Sequence, residues 1–327
     1  MTTRSTSGGS RGGDPVTLDL YRADLVTQAR SWVDLPPEER RRRAVAAARD
    51  RDEGMLWDLT RAHLTTHGSA GARVRPHTLR MYHLSVRRWL EYGNTAAVTL
   101  LHPSPDAGAL YLRSLEASGK APSTAQVYLA GVRSLYRALR WAGATTADPF
   151  LDARPARDRT APWDKRQPYP EEDVQQLLAA ATPEGRVLVL LGAHAGLRAS
   201  EMVALGWEDV QLNAGTLRVR DGKGGKARVI HLSASLTQAL AALGGRTGPV
   251  IGRSPEAARL RLKTLCKQVG VAYRGLHALR HYNGTRIVRA GLSLEAAAQH
   301  LGHASIETTR VYAKWSDETL KRELGRW

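Results

Sequence analysis

The sequence predicts a mainly α-helical protein of two domains, with a small antiparallel β-sheet in the second domain. Three observations support this prediction. The chain has 327 residues, which is enough for two domains that each bury a core. Apolar residues recur at helical spacing along most of its length. Two short segments, "GTLRVR" and "ARVIHLS", have the character of strands instead, and they flank a glycine-rich stretch that suits a hairpin turn.

The first half of the chain is predicted to be helical after a polar start. The first thirteen or so residues are rich in Ser, Gly and Thr without periodicity, which predicts disorder. Pro36 and Pro37, followed by two glutamates, are typical of a helix start. Three further helices are expected between about 53 and 150, and two of them place arginines away from their apolar stripes. Those arginines are Arg80, Arg87, Arg88, Arg133, Arg137 and Arg140.

A stretch rich in proline and charge divides the chain. Residues 152–168, "DARPARDRTAPWDKRQP", show no periodicity and are typical of a linker. We therefore expect an N-terminal extension over 1–52, a helical domain over 53–151 and a second domain over 169–327. The second domain is again mainly helical and contains the small sheet.

Composition narrows the class of function. Lys and Arg number 48 against 31 for Asp and Glu, a formal net charge of +17. Such a charge predicts a polyanionic partner, although a basic protein without a specific ligand is the alternative. The single cysteine excludes internal disulfides and cysteine-rich zinc modules, and it fits a reducing cytosol. No apolar run is long enough to span a membrane and no signal peptide is evident, so we expect a cytoplasmic protein without membrane contact.

Two motifs in the second domain carry charged candidates. In "AGLRASE", Arg198 and Glu201 lie three apart on one helical face, where they form either part of a site or an ordinary ion pair. In "DGKGGK", Lys223 lies at a predicted hairpin tip. A nucleotide-binding P-loop is excluded because Gly224 follows this lysine where Ser or Thr is required. A lysine that serves solubility alone is the alternative.

The stretch "GLHALRHYNG" offers a metal site, a phosphate site or a basic helix. His277 and His281 have the four-residue spacing of a zinc-protease helix, but Ala278 stands where that motif needs glutamate. We therefore expect no metal. Arg280 lies three residues after His277, so the two should face the same side of a helix, and arginine offers a planar fork to phosphate oxygens.

A tyrosine near the C-terminus completes the candidates. In "LGHASIETTRVYAKW", Gly302 predicts a turn, Ser305 an N-cap and the following residues a short helix that carries Tyr312. A core aromatic residue is the alternative for Tyr312. Taken together, two arginines, a lysine, two histidines and a tyrosine suit phosphoryl transfer without carboxylate metal ligands. The tyrosine would be the nucleophile.

In order and spacing these motifs resemble the tyrosine recombinase, or phage integrase, family, most of all its bacterial Xer-type members. The late motifs match best, with 23 positions from Arg280 to His303 and nine more to Tyr312. The resemblance covers about residues 53–327 and is strongest from 190 to 315. It implies a helical, SAM-like core-binding domain and a mainly α catalytic domain with a small antiparallel sheet.

The resemblance implies a role for each residue at the scissile phosphate. Tyr312 attacks the phosphate and forms a 3′-phosphotyrosyl link, which releases a 5′-hydroxyl. Arg198 and Arg280 hold the non-bridging oxygens, and His303 helps to bind the phosphate.

The remaining implied roles concern protons and support. Lys223 donates the proton to the leaving 5′-oxygen, and His277 assists proton transfer from Tyr312. Glu201 orients its neighbours without contacting the phosphate. Neither ATP nor a metal is required, so no cofactor is expected. The six arginines of the first domain are candidates for contacts with the DNA backbone.

The resemblance also implies partners. The first is double-stranded DNA with a specific recombination site. The second is further protomers, in a homotetramer or heterotetramer on that DNA. An activating accessory protein is a third candidate. The C-terminal "SDETLKRELGRW" would dock on the next subunit, or pack within its own chain. Residues 1–50 exceed what a compact Xer-type protein needs, and their role is open.

Three functions remain. Site-specific recombination comes first, with Xer-like chromosome dimer resolution ahead of phage or mobile-element integration, and with a location at the nucleoid. A type IB topoisomerase or a hairpin telomere resolvase would use the same chemistry. A DNA-binding module with a vestigial site is the non-enzymatic alternative.

Overall fold

The computed structural model describes residues 15–158, 160, 167–220, 227–245, 247–252, 254–302 and 309–312, with backbone alone for 15–18 and 310. The chain divides into two compact units, Met1–Arg159 and Thr160–Trp327. Over the described ranges, no helix is long and apolar enough to cross a membrane. The predictions for the first thirteen residues, Lys223, His303, Ser305 and the C-terminal segment lie outside the described residues.

The first unit is helical. Its described part contains α1 (Pro15–Val33), α2 (Pro37–Asp50), α3 (Glu53–His67), α4 (Pro76–Thr95), α5 (Ala107–Ala117) and α6 (Pro122–Trp141). The predicted helix start is confirmed, since Pro36 is the N-cap residue of α2 and Pro37 its first residue. Four α-helices, rather than the three predicted, lie between 53 and 150. The fourth is α5, whose eleven residues offer only a short periodic pattern after the turn "HPSPD".

All six helices contribute to one hydrophobic core. Trp89 is fully buried, and its ring meets those of Tyr111 and Phe150 edge-on at centroid distances of 5.2 and 4.9 Å. Trp32 of α1 and Ala44 of α2 belong to the same core. The predicted N-terminal extension therefore contains two helices that pack with the rest of this unit.

The beginning of the predicted linker is bound to the first unit. The Arg133 guanidinium of α6 donates hydrogen bonds to the carbonyls of Phe150 and Ala153, at distances from 2.8 to 3.0 Å. The backbone N–H of Ala156 donates to Glu116 at 2.7 Å. These bonds give residues 150–156 a defined path along the unit.

The second unit combines helices with a small sheet. Its described elements are α7 (Glu171–Ala180), α8 (Pro183–Ala193), α9 (Ala199–Ala204), β1 (Val210–Gln211), β2 (Thr216–Val219), β3 (Arg228–His231), α10 (Ala234–Leu243), α11 (Pro255–Gln268), α12 (Leu276–Arg289) and α13 (Leu294–Leu301). From Val187 onward, helix α8 is apolar on all sides and lies in the core, where α10 and α12 pack against it.

The predicted hairpin is confirmed. Strands β2 and β3 pair antiparallel in a register that joins Val219 to Arg228 and Thr216 to His231. Strand β1 was not predicted because its two residues show no alternation; it pairs with the other side of β2. The predicted class, mainly α with a small antiparallel sheet, is therefore confirmed.

Candidate active site

The site is built around the carboxylate of Glu201. Arg198 is the N-cap residue of α9, and Glu201 lies in the first turn of that helix. One carboxylate oxygen accepts the backbone N–H of Arg198 at 2.9 Å, and the other accepts its Nη1 at 2.7 Å. The predicted spacing therefore produces a helix cap and an ion pair at once. Arg198 also donates from Nη2 to the carbonyl of Gly302 at 3.1 Å, which ties it to the end of α13.

Arg280 reaches the same place from the interior of α12. Its side chain is 1% exposed, and it donates to the carbonyls of Gly196 at 2.5 Å and Leu301 at 2.6 Å. Its Nη1 lies 4.0 Å from Glu201. Burial, together with the charge of Arg198, lowers the pKa of Arg280 to about 10. Arg280 therefore remains a cation at neutral pH, held between two main-chain carbonyls.

Arg228, on β3, was not predicted. It forms a two-point contact with Glu201, from Nη1 to Oε1 at 3.0 Å and from Nη2 to Oε2 at 2.9 Å. Burial by itself raises the pKa of Glu201, but hydrogen bonds from Arg228 and from the Arg198 backbone outweigh it and lower the pKa to about 2. Glu201 is therefore a carboxylate at neutral pH. Nothing in the local sequence distinguishes Arg228 from an ordinary strand arginine.

Gly302 leaves room for the arginine side chains around Glu201. Its φ of 65° ends α13 in the left-handed region, which favours glycine. A Cβ atom at this position would lie 2.8 Å from Cδ of Arg228 and 2.9 Å from its Nε. The predicted turn at Gly302 is thus confirmed, and its lack of a side chain makes room for Arg228.

Tyr312 is enclosed in the same unit, on a short 3-10 turn. Its side chain is 1% exposed, and its hydroxyl lies 3.0 Å from Nδ1 of His281. A Cβ atom on Gly284 would lie 2.4 Å from Cζ of the tyrosine, so the ring packs against bare helix backbone. Burial raises the pKa of Tyr312 to about 12, although the charge of Arg280 acts in the opposite direction. The hydroxyl is therefore protonated at neutral pH.

The two histidines of α12 are adjacent but differ in environment. His281 is buried, whereas His277 is exposed, and their rings meet edge-on at 4.6 Å. We predicted that His277 and Arg280 face the same side of the helix, but Arg280 is buried whereas His277 is exposed. His281 had no predicted role, and the structure places it between His277 and the tyrosine hydroxyl.

The six arginine candidates of the first unit fall into two groups. Arg133 and Arg140 are directed inward, since Arg140 donates to the Ala147 carbonyl and pairs with Asp148 at 2.9 Å. Arg87 pairs with Glu53 and Arg88 with Glu91 at the surface. The exposed members are Arg80, Arg87, Arg88 and Arg137. DNA contact remains a prediction for all six, and the first group has a visible structural role.

Two parts of the sequence match known protein families. Residues 169–319 match the Phage integrase family, and residues 70–143 match its N-terminal SAM-like domain. Tyrosine recombinase XerC of Rhodospirillum centenum (strain ATCC 51521 / SW) is 32% identical over 279 residues, which cover 75% of this chain and 79% of the relative. The chain belongs to the tyrosine recombinase family. The predicted resemblance, and with it the enzyme class of tyrosine-type site-specific recombinases, is confirmed.

Other members of the tyrosine recombinase family agree with this assignment. Tyrosine recombinase XerA of Thermococcus kodakarensis (strain ATCC BAA-918 / JCM 12380 / KOD1) is 28% identical over 263 residues, which cover 76% of this chain and 88% of the relative. A structure of XerH site-specific recombinase bound to palindromic difH substrate has a TM-score of 0.64 at 17% identity and covers 95% of this chain and 96% of its own. A lambda integrase dimer bound to a COC′ core site has a TM-score of 0.63 at 18% identity, with coverage of 84% and 95%. These structures share the fold.

Proposed function

We propose that this tyrosine recombinase cleaves and rejoins DNA at a specific site through a 3′-phosphotyrosyl intermediate on Tyr312. The observation that carries the proposal is the convergence of Arg198 and Arg280 on Glu201, in the unit that also encloses a tyrosine hydroxyl beside a histidine. The histidine is a potential proton acceptor for the tyrosine hydroxyl, and Arg280 is a buried cation fixed next to the Glu201 carboxylate.

The two arginines suit a phosphoryl-transfer transition state. Charge in that state spreads over the non-bridging oxygens, which fixed cations stabilise. Arg198 and Arg280 are held by a carboxylate and by three carbonyl groups, so little ordering remains to be done when a phosphate binds. In the proposed roles, both hold the non-bridging oxygens, with His303 as a third contact.

Proton transfers complete the proposed step. The Tyr312 oxygen attacks phosphorus, the bond to the 5′-oxygen breaks, and Lys223 gives a proton to that oxygen. The tyrosine must lose its own proton, and its raised pKa means that a neighbouring base has to accept it. His277 is proposed to assist this transfer, and His281 lies between the two groups. One phosphoester replaces another, so we propose that rejoining requires neither ATP nor a metal.

The proposed partners follow the family. They are duplex DNA with a specific site, further protomers that assemble through the C-terminal segment, and an activating accessory protein. A lambda integrase tetramer bound to a Holliday junction shares the fold at 18% identity. The proposed role is Xer-like resolution of chromosome dimers, or else integration and excision of a mobile element. Its place would be the cytoplasm, at the nucleoid.

Covalent capture from genomic DNA tests the proposal. The protein is incubated with fragmented DNA and denatured, and the protein-linked fragments are sequenced. Wild type should yield adducts that converge on one sequence, and Tyr312→Phe should yield none because the nucleophilic oxygen is missing. Tyr169→Phe is the matched control, because Tyr169 is equally buried and its hydroxyl accepts a hydrogen bond from the backbone N–H of Arg274 at 2.8 Å. This variant should form adducts like wild type.

Each other outcome points elsewhere. Adducts scattered without sequence preference would indicate a type IB topoisomerase. Adducts that persist in Tyr312→Phe would assign the nucleophile to another residue. If wild type binds DNA but forms no adducts, even with cell extract added as a source of accessory protein, the proposal of a binding module with a vestigial site would replace this one.

DNA binding should weaken steeply as salt increases. Arginine contacts with phosphate release counterions, so the logarithm of affinity should fall linearly with the logarithm of salt concentration. Arg80→Gln and Arg137→Gln should each reduce the slope by about one, as measured by fluorescence anisotropy on duplex DNA. Arg22 of α1 is partly exposed and pairs with Asp19, and Arg22→Gln should leave the slope unchanged. A flat salt dependence would contradict the predicted DNA face.

A further inference from the structure

We propose that Arg228 is a positioning residue for strand cleavage, which acts through Glu201 to hold the Arg198 guanidinium where the phosphate binds. The inference rests on the proposed function, since it concerns the arginine proposed to bind the phosphate. Arg228 itself lies deeper, with 11% of its side chain exposed against 23% for Arg198. Arg198 is therefore the more accessible of the two, and the more buried Arg228 binds the carboxylate that holds it.

The geometry restricts the carboxylate of Glu201 to one orientation. Each of its oxygens accepts one hydrogen bond from Arg228 and one from Arg198, all between 2.7 and 3.0 Å. A planar guanidinium that contacts both oxygens keeps the carboxylate from rotating. Because the plane of the carboxylate is fixed, the oxygen that accepts the hydrogen bond from Nη1 of Arg198 is fixed as well. Without Arg228, the carboxylate would keep only the two hydrogen bonds from Arg198, the group whose position is to be fixed.

Arg228 also connects three elements of the site. It is the first residue of β3 and pairs with Val219, the last residue of β2, so the strand register determines its place. Its side chain contacts Glu201 on α9 and passes Gly302 at the end of α13, where no Cβ obstructs it. Gly302 in turn accepts a hydrogen bond from Arg198 through its carbonyl. Arg228 is therefore bonded to one partner of Arg198, Glu201, and lies next to the other, Gly302.

The chain offers a matched control in Arg220. It follows β2 directly, while Arg228 begins β3, so the two arginines flank the same connection of the hairpin. Arg220 also contacts a buried carboxylate, with its Nε 2.5 Å from Asp209, whose side chain is 5% exposed. Arg220→Met and Arg228→Met therefore remove the same charge from the same end of the hairpin and leave a buried carboxylate in each case. Only Arg228→Met removes a partner of Glu201.

The experiment measures cleavage and binding separately. Fragments captured by the wild-type protein serve as the DNA probe, and adduct formation is followed in a single turnover at saturating protein. Arg228→Met should form adducts about 10- to 100-fold more slowly, because a misplaced phosphate-binding group loses that order of rate. Its affinity for the probe should equal that of Arg220→Met, and Arg220→Met should cleave at the wild-type rate. Arg228→Lys keeps the charge without the two-point contact and should also be slow.

The results distinguish the alternatives. Equal cleavage rates for Arg228→Met and Arg220→Met would overturn the inference, as would a loss confined to affinity. If Arg228→Met does not fold by circular dichroism, Arg228→Lys decides: a wild-type rate for that variant overturns the inference. Absence of adducts from wild type itself, or adducts that persist in Tyr312→Phe, would mark failure of the proposed function rather than of Arg228.

Discussion

Replacing Glu201 by glutamine should lower the free energy of unfolding by about 3 kcal/mol or more at neutral pH. The carboxylate is 4% exposed and lies among three arginines, Arg198 and Arg228 in direct contact and Arg280 at 4.0 Å. Glutamine has the same shape, but it leaves three cations together without a counter-charge and places an N–H₂ group against donors. Urea unfolding of Glu201→Gln and of wild type measures the loss.

The same replacement should change the acid dependence of stability. The pKa of Glu201 is about 2 in the folded protein against an ordinary value of 4.5. A depressed carboxyl pKa stabilises the fold above the unfolded value, and that contribution disappears as pH falls towards the folded value. The difference between wild type and Glu201→Gln should therefore be constant above about pH 4.5 and shrink between there and about pH 2.

An exposed glutamate provides the control. Glu256 pairs with Arg259 on α11 with 78% of its side chain exposed, so Glu256→Gln should leave the free energy of unfolding almost unchanged. Equal losses for the two variants would mean that the Glu201 cluster contributes no more than a surface pair. A difference that does not shrink in acid would assign the loss to the N–H₂ group placed against donors rather than to charge.

Replacing Gly284 by alanine should reduce adduct formation about 100-fold, because the displaced nucleophile no longer reaches its place. The new Cβ would lie 2.4 Å from Cζ of Tyr312 and 2.8 Å from its hydroxyl oxygen. Alanine favours the interior of a helix over glycine by about 1 kcal/mol, so α12 itself should not be weakened. The expected variant is folded and binds DNA but cleaves poorly.

Adduct capture, thermal unfolding and DNA binding together check this prediction. Gly54→Ala is the matched control, since Gly54 is also in a helix and a Cβ there would approach only the Asp52 carboxylate, at 3.3 Å. It should cleave like wild type. Normal adduct formation by Gly284→Ala would show that Tyr312 does not need the position seen against α12.

The sequence by itself determined the fold class, the β2–β3 hairpin, the start of α2 and the resemblance that proved to be the family. These features depend on local periodicity, on turn residues and on short motifs, which neighbouring residues encode. The Arg198–Glu201 pair belongs here too, because three residues of spacing bring the two side chains to the same end of α9.

Only the tertiary structure decided which residues surround those motifs. Arg228 meets Glu201 across 27 positions, and His281 meets Tyr312 across 31. Strand alternation indicates which face of the sheet a residue occupies, but not which carboxylate its side chain contacts. Arg133 shows the same limit, since helical spacing placed it on the basic stripe of α6, whereas packing directs its guanidinium to the carbonyls of Phe150, Leu151 and Ala153. Such contacts depend on how distant elements pack, and no local pattern encodes them.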